Sequence, residues 1–311
     1  MNARSRICIA ATKAALPGSV VSPAADISSI ACAALAAALF GTALVTTHTG
    51  LRYMDALSGA RVSIPTATLL FWLLAPLHDL SGWETEAVLI FVVVGAFFPA
   101  AVTLLTFAAN RRLGPAVAGA IGGTAPLFAV LGAAAFLGET LGIREVVATG
   151  IIVLGCALLS TPDGAATGGD TRGALWLPWA SAVLRAAAQI LSKAGLALWP
   201  NPFAAALIGY SVSAAVVWVA PCLAPQRRTF AADRRGVAWF AVTGVLNGGA
   251  VISMYYALST GPVHIVSPIV ATYPLFTLAL SAMVLRLPLR PALLAGVALT
   301  VSGVAVLLAR W

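Results

Sequence analysis

The sequence predicts an all-α membrane protein with ten transmembrane helices, arranged as two inverted five-helix repeats. Three observations lead to this prediction. Hydrophobic residues make up 60% of the chain and charged residues only 9%, whereas soluble domains carry about 25% charged residues. The apolar residues form ten runs close to the length of about 20 residues that spans a bilayer. A segment of the first half also returns, in altered form, in the second half.

The repeated segment carries the same features in the same order in both halves. They are a Gly-Pro pair (Gly114-Pro115 and Gly261-Pro262), a Pro-Leu-Phe triplet (starting at Pro126 and at Pro274) and a late glycine (Gly155 and Gly303). From the triplet onward the two copies align without a gap, which chance similarity between two apolar segments rarely gives. The chain is therefore interpreted as two copies of one unit.

Each of the ten runs is bounded by charged residues, Pro or Gly. In chain order they cover residues 27–47, 56–74, 87–107, 116–136, 143–160, 175–191, 203–222, 237–258, 263–285 and 289–308. The polar, glycine-rich stretch 161–173 lies between the fifth and sixth runs, so it predicts a linker between repeat 1 (27–160) and repeat 2 (174–311). Because five is odd, the second repeat must enter the membrane in the opposite direction. Inverted repeats are a common transporter architecture.

Residues 1–26 lie outside the two predicted repeats. They contain Arg4, Arg6 and Lys13, and their one apolar stretch is shorter than the roughly 7 to 15 residues of a signal-peptide core. We expect a mobile tail, or a start codon assigned too far upstream. The four cysteines of the chain are isolated, so neither a metal site nor a disulfide framework is expected. No Walker-type loop occurs, so we expect no nucleotide or other cofactor.

The formal charge of +8 comes from residues in short connections between apolar runs. This placement favours a role in topology and in lipid headgroup contacts over nucleic-acid binding. The expected partners are the lipid bilayer and a small-molecule substrate, with no nucleic acid, and a monomer is the expected state. All ten acidic residues fall in connections, at helix ends or in the tail, so none is predicted in mid-membrane.

Several short motifs follow one another along the chain. They are Phe40-Gly41, Arg61, Leu113-Gly114-Pro115, Pro126, Gly138-Glu139-Thr140-Leu141, Tyr256-Ala257-Leu258, Pro274 and Gly303. Their order resembles the drug/metabolite transporter superfamily, specifically the ten-helix members built from two EamA-type domains. The resemblance implies a transporter of small organic metabolites, often an exporter of amino acids or related compounds, with both termini in the cytoplasm. Arg286-Leu287-Pro288 departs from the pattern because a second glutamate is missing there, and Arg185 replaces an apolar or aromatic residue.

The distribution of Lys and Arg opposes the orientation that the resemblance implies. Connections on the side away from the termini carry more of these residues, whereas the excess usually lies in cytoplasmic loops. Much of that excess comes from a single loop. We therefore keep the orientation of the family, in a cytoplasmic (inner) membrane.

The substrate site is predicted around a cation in the sixth run. Arg185, Gln189 and Lys193 lie on one face of the helix, because they are spaced four residues apart. A charge inside the bilayer is costly and marks a functional site by default, and a guanidinium beside an amide can hold a carboxylate or phosphate. Two alternatives stay open: Arg185 satisfies carbonyls at a broken helix, and Lys193 reaches the interface. Arg61 is interpreted as structural.

Seven residues form the predicted substrate site: Arg185, Gln189, Asn247, Tyr255, His264, Ser267 and Tyr273. The five in the eighth and ninth runs correspond to positions near the midplane in inverted-repeat transporters. His264 is placed to titrate near neutral pH, so it takes part in proton coupling or serves as an interhelical partner. The predicted hinges are Pro126, Pro268 and Pro274, although each also fits a static kink.

These features predict a secondary active transporter that works by alternating access, with export of amino acids or related carboxylates as the favoured function. Arg185 would anchor the anionic group. Transport of lipid-linked or nucleotide-linked sugars is the alternative within transporters. The rival classes are a non-transporting receptor and an intramembrane enzyme. No enzyme is expected, because HExxH, GxSxG and paired membrane aspartates are missing.

Overall fold

A computed structural model describes residues 23–159, 172–219, 233–285 and 291–309. The predicted tail before residue 23 and the predicted linker up to residue 171 therefore lie outside the described residues. Within those four ranges the chain forms twelve α-helices and two short 3-10 helices, and no strand. The predicted all-α fold is confirmed.

Six helices belong to the first half of the chain. They are α1 (Pro23–Gly50), α2 (Ala56–Leu74), α3 (Thr85–Phe97), α4 (Ala100–Gly122), α5 (Ala125–Leu137) and α6 (Ile143–Leu159). Local chemistry sets some of their ends. Asp55 starts α2, because its side chain accepts hydrogen bonds from the N–H groups of Leu57 and Ser58 at 2.9 and 3.0 Å. Gly138 ends α5 in the left-handed conformation, at φ 69°.

Six helices form the second half. They are α7 (Trp176–Leu198), α8 (Pro202–Val219), α9 (Arg234–Thr260), α10 (Val263–Val270), α11 (Tyr273–Leu285) and α12 (Pro291–Leu308). Asp233 caps α9 as Asp55 caps α2, by accepting from the N–H groups of Arg235 and Gly236 at 2.8 and 3.1 Å.

The observed helices do not correspond one to one to the ten predicted runs. Seven helical segments of the described residues are long and apolar enough to cross a membrane, and α5 is a shorter apolar helix. A connection was predicted at Gly114-Pro115, but α4 continues through it, and the chain breaks instead beside Pro99 and Pro126. A proline does not have to end a membrane helix, because neighbouring groups can satisfy the carbonyl that it frees. The multi-pass architecture is therefore established at a coarser level than the predicted ten helices.

Contacts between helices repeat when the two halves are exchanged. In one arrangement α9 packs along α1 and α2, and in its counterpart α3 and α4 pack along α7, with α3 also against α8. In the same way α10 and α11 pack on α1, as α5 packs on α7. Two pairs join equivalent helices directly, namely α6 with α12 and α2 with α8. This pattern is what a pseudo-twofold axis produces, whereas the direction of each half in the membrane stays a prediction.

The backbones of α6 and α12 touch where the two helices cross. A Cβ atom at Gly155 would lie 2.6 Å from the backbone N of Thr300 and 2.9 Å from the carbonyl oxygen of Gly296. The contact is reciprocal, because a Cβ atom at Gly303 would lie 3.0 Å from the backbone N of Ile152. Glycine is required at such crossings, since any side chain would push the helices apart.

Arg61 holds the end of a neighbouring helix. Its side chain is buried, its Nε donates to the carbonyl oxygen of Val217 at 3.5 Å, and its guanidinium carbon lies 5.4 Å from the ring centroid of Trp218. Both partners are in the last turn of α8, where carbonyl groups have no partner within the helix. This geometry agrees with the structural role predicted for Arg61.

Candidate substrate site

The helices of both repeats are broken at equivalent positions. Between α4 and α5, the N–H group and the hydroxyl of Thr124 donate to the carbonyl oxygen of Ile121 at 3.0 and 2.6 Å. Between α10 and α11, the same two groups of Thr272 donate to the carbonyl oxygen of Ile269 at 3.0 and 2.7 Å. Each break is thus closed by one threonine, and each leaves nearby backbone groups outside a regular helix.

The prolines predicted as hinges lie at and near these breaks. Pro126 is the second residue of α5 and Pro274 the second residue of α11. A proline fits the first turn of a helix because its missing N–H would have no partner there. The predicted kinks are therefore complete breaks after which a new helix starts, and Pro268 lies inside the short α10. Their bending during transport stays a prediction.

A cavity lies between the two breaks. It contains about 440 Å³ of space between the atoms, part of which is open to solvent. Residues next to both breaks contribute to its wall, together with side chains of α1, α7, α9 and α10. Its larger apolar side chains are Phe40, Phe98 and Met254. The cavity is therefore shared by the two repeats.

Three residues of the cavity wall carry a buried polar atom without a hydrogen-bond partner in the described part of the chain. These atoms are Nε of Arg185, Oε1 of Gln189 and Oγ of Ser267. Gln189 is 5% exposed and Ser267 is 1% exposed, so water has little access to either side chain. Buried polar groups are normally paired, and leaving one unpaired costs about 1–3 kcal/mol. The cavity is therefore suited to a polar ligand.

The electrostatics of the cavity favour an anion. Arg185 is the charged residue of the wall, and none of the described acidic residues lines the cavity. A guanidinium forms its strongest hydrogen bonds with carboxylate or phosphate oxygens. Among the described residues, no group of three or more His, Cys, Asp or Glu side chains is arranged to hold a metal ion.

The cavity brings together part of the predicted site. Arg185, Gln189, Ser267, Tyr273 and the predicted hinge Pro126 line it. The other predicted positions lie outside its wall, and their contact with substrate stays a prediction.

Two of these outer positions lie on α9. Asn247 is seven residues before Met254, which lines the cavity, so it is on the same face but about 10 Å further along the helix axis. Tyr255 follows Met254 directly, points about 100° away from it around the helix, and is 2% exposed in the hydrophobic core.

His264 binds a carboxylate that comes from the other repeat. Glu139, in the turn after α5, accepts hydrogen bonds from the N–H groups of Val263 and His264 at 2.8 and 3.1 Å. Its Oε2 atom also lies 2.7 Å from Nδ1 of His264. Because a carboxylate can only accept, Nδ1 must carry the proton. Glu139 therefore caps the start of α10, where Pro262 supplies no capping side chain.

The environment of Glu139 favours its charged form. Burial raises the pKa of this carboxyl, but the hydrogen bonds from the His264 side chain and the Val263 N–H, together with the charge of His264, outweigh burial, so the pKa is lowered. Glu139 is therefore ionised at neutral pH, in the form that makes these contacts.

Lys193, on α7, also binds close to the start of α10. Its Nζ atom donates to the carbonyl oxygens of Leu258 and Gly261 at 2.7 and 2.9 Å, at the end of α9. Lys193 thus binds free carbonyl groups at a helix end, which is the role that the sequence had suggested as an alternative for Arg185.

Sequence reasoning missed the contact of Glu139 with the start of α10. The glutamate was noticed in Gly138-Glu139-Thr140-Leu141, and its absence from the second repeat was the available signal. The contact itself joins residues 124 and 125 positions apart, so no local pattern could reveal it. The apolar wall residues Phe40, Phe98 and Met254 were also missed, because they look like ordinary residues of a membrane helix.

The family of the chain follows from a comparison of its two halves with known families. A model of the EamA-like transporter family matches residues 27–161 and again residues 171–309. The chain belongs to the EamA-like transporter family. The two matches confirm the resemblance to the drug/metabolite transporter superfamily, with one EamA repeat in each half.

The fold of this EamA-like protein has also been seen in a crystal structure. The superposition has a TM-score of 0.74 at 17% sequence identity, and it covers 92% of this chain and 96% of the other. At this identity the similarity shows the fold alone. A comparison with curated proteins finds no match. Members of the family are membrane transporters rather than enzymes, and the repeats and apolar helices make this chain a multi-pass membrane protein.

Proposed function

We propose that this EamA-like protein is a secondary transporter that exports amino acids or related carboxylates across the cytoplasmic membrane by alternating access. The observation that carries the proposal is the cavity between the two helix breaks, where Arg185, Gln189 and Ser267 hold buried polar atoms without partners. These atoms define the chemistry that a substrate must supply.

The three atoms can form hydrogen bonds with different groups of the substrate. The Nε–H of Arg185 needs an acceptor, and the charge of the guanidinium makes a carboxylate the best one. Oε1 of Gln189 needs a donor, which an ammonium or hydroxyl group provides. The hydroxyl of Ser267 can donate or accept. An amino acid, or a carboxylate that bears a hydroxyl group, satisfies all three at once.

The matching breaks support alternating access. Discontinuous helices at the interface of two repeats are the usual place for a transported substrate, and access alternates as one part of the protein rocks against the other. The cavity walls here come from both repeats and from both breaks. The proposed orientation, with the termini in the cytoplasm, is tested by a reporter fused to the C-terminus.

Counterflow in proteoliposomes tests the substrate class. The panel contains amino acids, hydroxy acids, simple carboxylates, amines and nucleotide-linked sugars. Arg185→Gln is compared with Arg61→Gln, which removes a buried arginine outside the cavity wall, after the amount of folded protein has been matched.

Arg185→Gln is expected to weaken carboxylate exchange by about 10 to 150-fold, because a hydrogen bond to a charged group contributes about 1.5–3 kcal/mol and each 1.4 kcal/mol is tenfold in affinity. Arg61→Gln is expected to leave the apparent affinity unchanged. Equal carboxylate exchange in Arg185→Gln and the parent would exclude the anion anchor. Exchange of nucleotide-linked sugars alone would replace the proposed substrate, and no exchange of any compound would overturn the proposal.

A further inference from the structure

We propose that Glu139, His264 and Lys193 form the gate that closes the cavity on the side where α9 ends and α10 begins. This inference rests on the proposed transport function, because a gate has meaning only for a cavity that opens alternately to two sides. None of the three residues lines the cavity, so the gate is separate from the proposed substrate site.

The gate lies one helical turn from the cavity on two helices. Lys193 follows the cavity residue Gln189 by four positions on α7, which is about 6 Å along the axis. His264 precedes the cavity residue Ser267 by three positions on α10, or about 4.5 Å. Because Lys193 binds carbonyls at the junction of α9 and α10, both displacements lead toward the same end of the molecule. The gate residues therefore stand between the cavity and that end.

Glu139 joins the two repeats in the gate, whereas the described hydrogen bonds of Lys193 stay within the second repeat. Glu139 comes from the first repeat, whereas His264 and Lys193 come from the second. The carboxylate of Glu139 holds the first two N–H groups of α10 and the imidazole of His264 at the same time. Parts that move relative to one another in transport need a contact between them that can be made and broken. A single carboxylate at the start of a short broken helix provides such a contact.

The polar character of the gate makes it reversible. The side chains of Glu139 and His264 are 13% and 15% exposed, so water reaches both. When the carboxylate leaves, water can replace it at the N–H groups, and it can return without a chemical step. The backbone crossing of α6 and α12 at Gly155 and Gly303 differs, because direct contact excludes water there. We therefore assign the opening to the gate rather than to this crossing.

Distances between spin labels test the gate without any substrate. The four native cysteines are replaced, and labels are attached at Ile143→Cys and Thr260→Cys, two exposed positions on either side of the gate. Glu139→Gln is the test variant, because an amide group presents N–H donors to groups that already donate. Glu145→Gln is the matched control, since Glu145 lies in the next turn of chain and none of the described hydrogen bonds joins its side chain to α10.

We expect one short distance in the parent and in Glu145→Gln. In Glu139→Gln a longer distance should appear, with the ratio of open to closed molecules raised about tenfold or more, as the loss of hydrogen bonds to a charged group implies. His264→Phe keeps the two backbone contacts and should give a smaller increase, and it stands in if Glu139→Gln does not fold. The same distance distribution in both variants and in the parent would overturn the gate.

The outcomes separate the gate from the proposed function. If Arg185→Gln transports carboxylates like the parent while Glu139→Gln still shows the longer distance, the substrate proposal fails and the gate remains. If carboxylate counterflow depends on Arg185 but neither gate variant changes the distance, the substrate proposal stands and the gate is wrong.

Discussion

Gly155 sets the distance between α6 and α12, and Gly155→Ala is expected to destabilise the protein. The added methyl group would lie 2.6 Å from the backbone N of Thr300 and 2.9 Å from the carbonyl oxygen of Gly296. Backbone atoms cannot rotate away as the tip of a side chain can. Overpacking of this kind costs about 1–3 kcal/mol, while alanine gains about 0.5–1 kcal/mol over glycine within a helix. The net loss is therefore between about 0 and 2.5 kcal/mol.

Gly150→Ala provides the matched control for this change. Gly150 lies on the same helix, but beyond its own turns of helix no atom of the described residues lies within 4 Å of a Cβ built there, so only the helix-propensity gain remains. The two variants are expected to differ by about 1–3 kcal/mol, measured as thermal unfolding in detergent, where each kcal/mol shifts Tm by about 2–4 °C. If Gly155→Ala is as stable as Gly150→Ala, the two helices do not pack backbone to backbone and the reasoning is refuted.

Two further predictions concern polar contacts between helices. The hydroxyls of Thr46 on α1 and Thr243 on α9 lie 2.7 Å apart, so a double-mutant cycle with Thr46→Val and Thr243→Val should give a coupling energy of about 0.6 kcal/mol in unfolding measurements. Strictly additive costs would mean that each hydroxyl binds only the carbonyl of its own helix. Because the pKa of Glu139 is lowered below 4.5, its stabilising contribution is full above that pH and is lost as the pH falls through the lowered value. The Tm difference between the parent and Glu139→Gln should therefore shrink as the pH falls below 4.5, and a constant difference would contradict the assigned contacts.

The alignment of the two halves predicted both the repeat and the region in which the helices break. The alignment that pairs Pro126 with Pro274 also pairs Thr124 with Thr272, and these threonines close both breaks. The break itself could not be predicted, because a proline in an apolar run is compatible with a kink, with the start of a helix or with an uninterrupted helix. At Gly114-Pro115 the helix is uninterrupted.

Two residues of the cavity wall were predicted from the cost of burying polar side chains in the membrane. Arg185 and Gln189 were found because polar side chains within an apolar run are costly, and both line the cavity. The same reasoning selected Asn247 and Tyr255, which lie away from the wall. Polarity on a membrane helix indicates that a side chain has a partner or a purpose. It contains no information about the level along the axis at which that partner lies.

The crossing of α6 and α12 is symmetric between the two halves of the chain. Gly155 faces Thr300, and Gly303, its equivalent, faces Ile152, which is the equivalent of Thr300. A surface that meets its own copy in this reciprocal way is an isologous interface, the type found in twofold homodimers.

The covalent protein therefore has the internal geometry of a dimer of two small subunits. Each half carries both sides of the surface that it offers to the other. Two polypeptides cut from the matched segments, residues 27–161 and 171–309, already contain the complementary faces. The peptide connection between them fixes which halves meet and in what ratio.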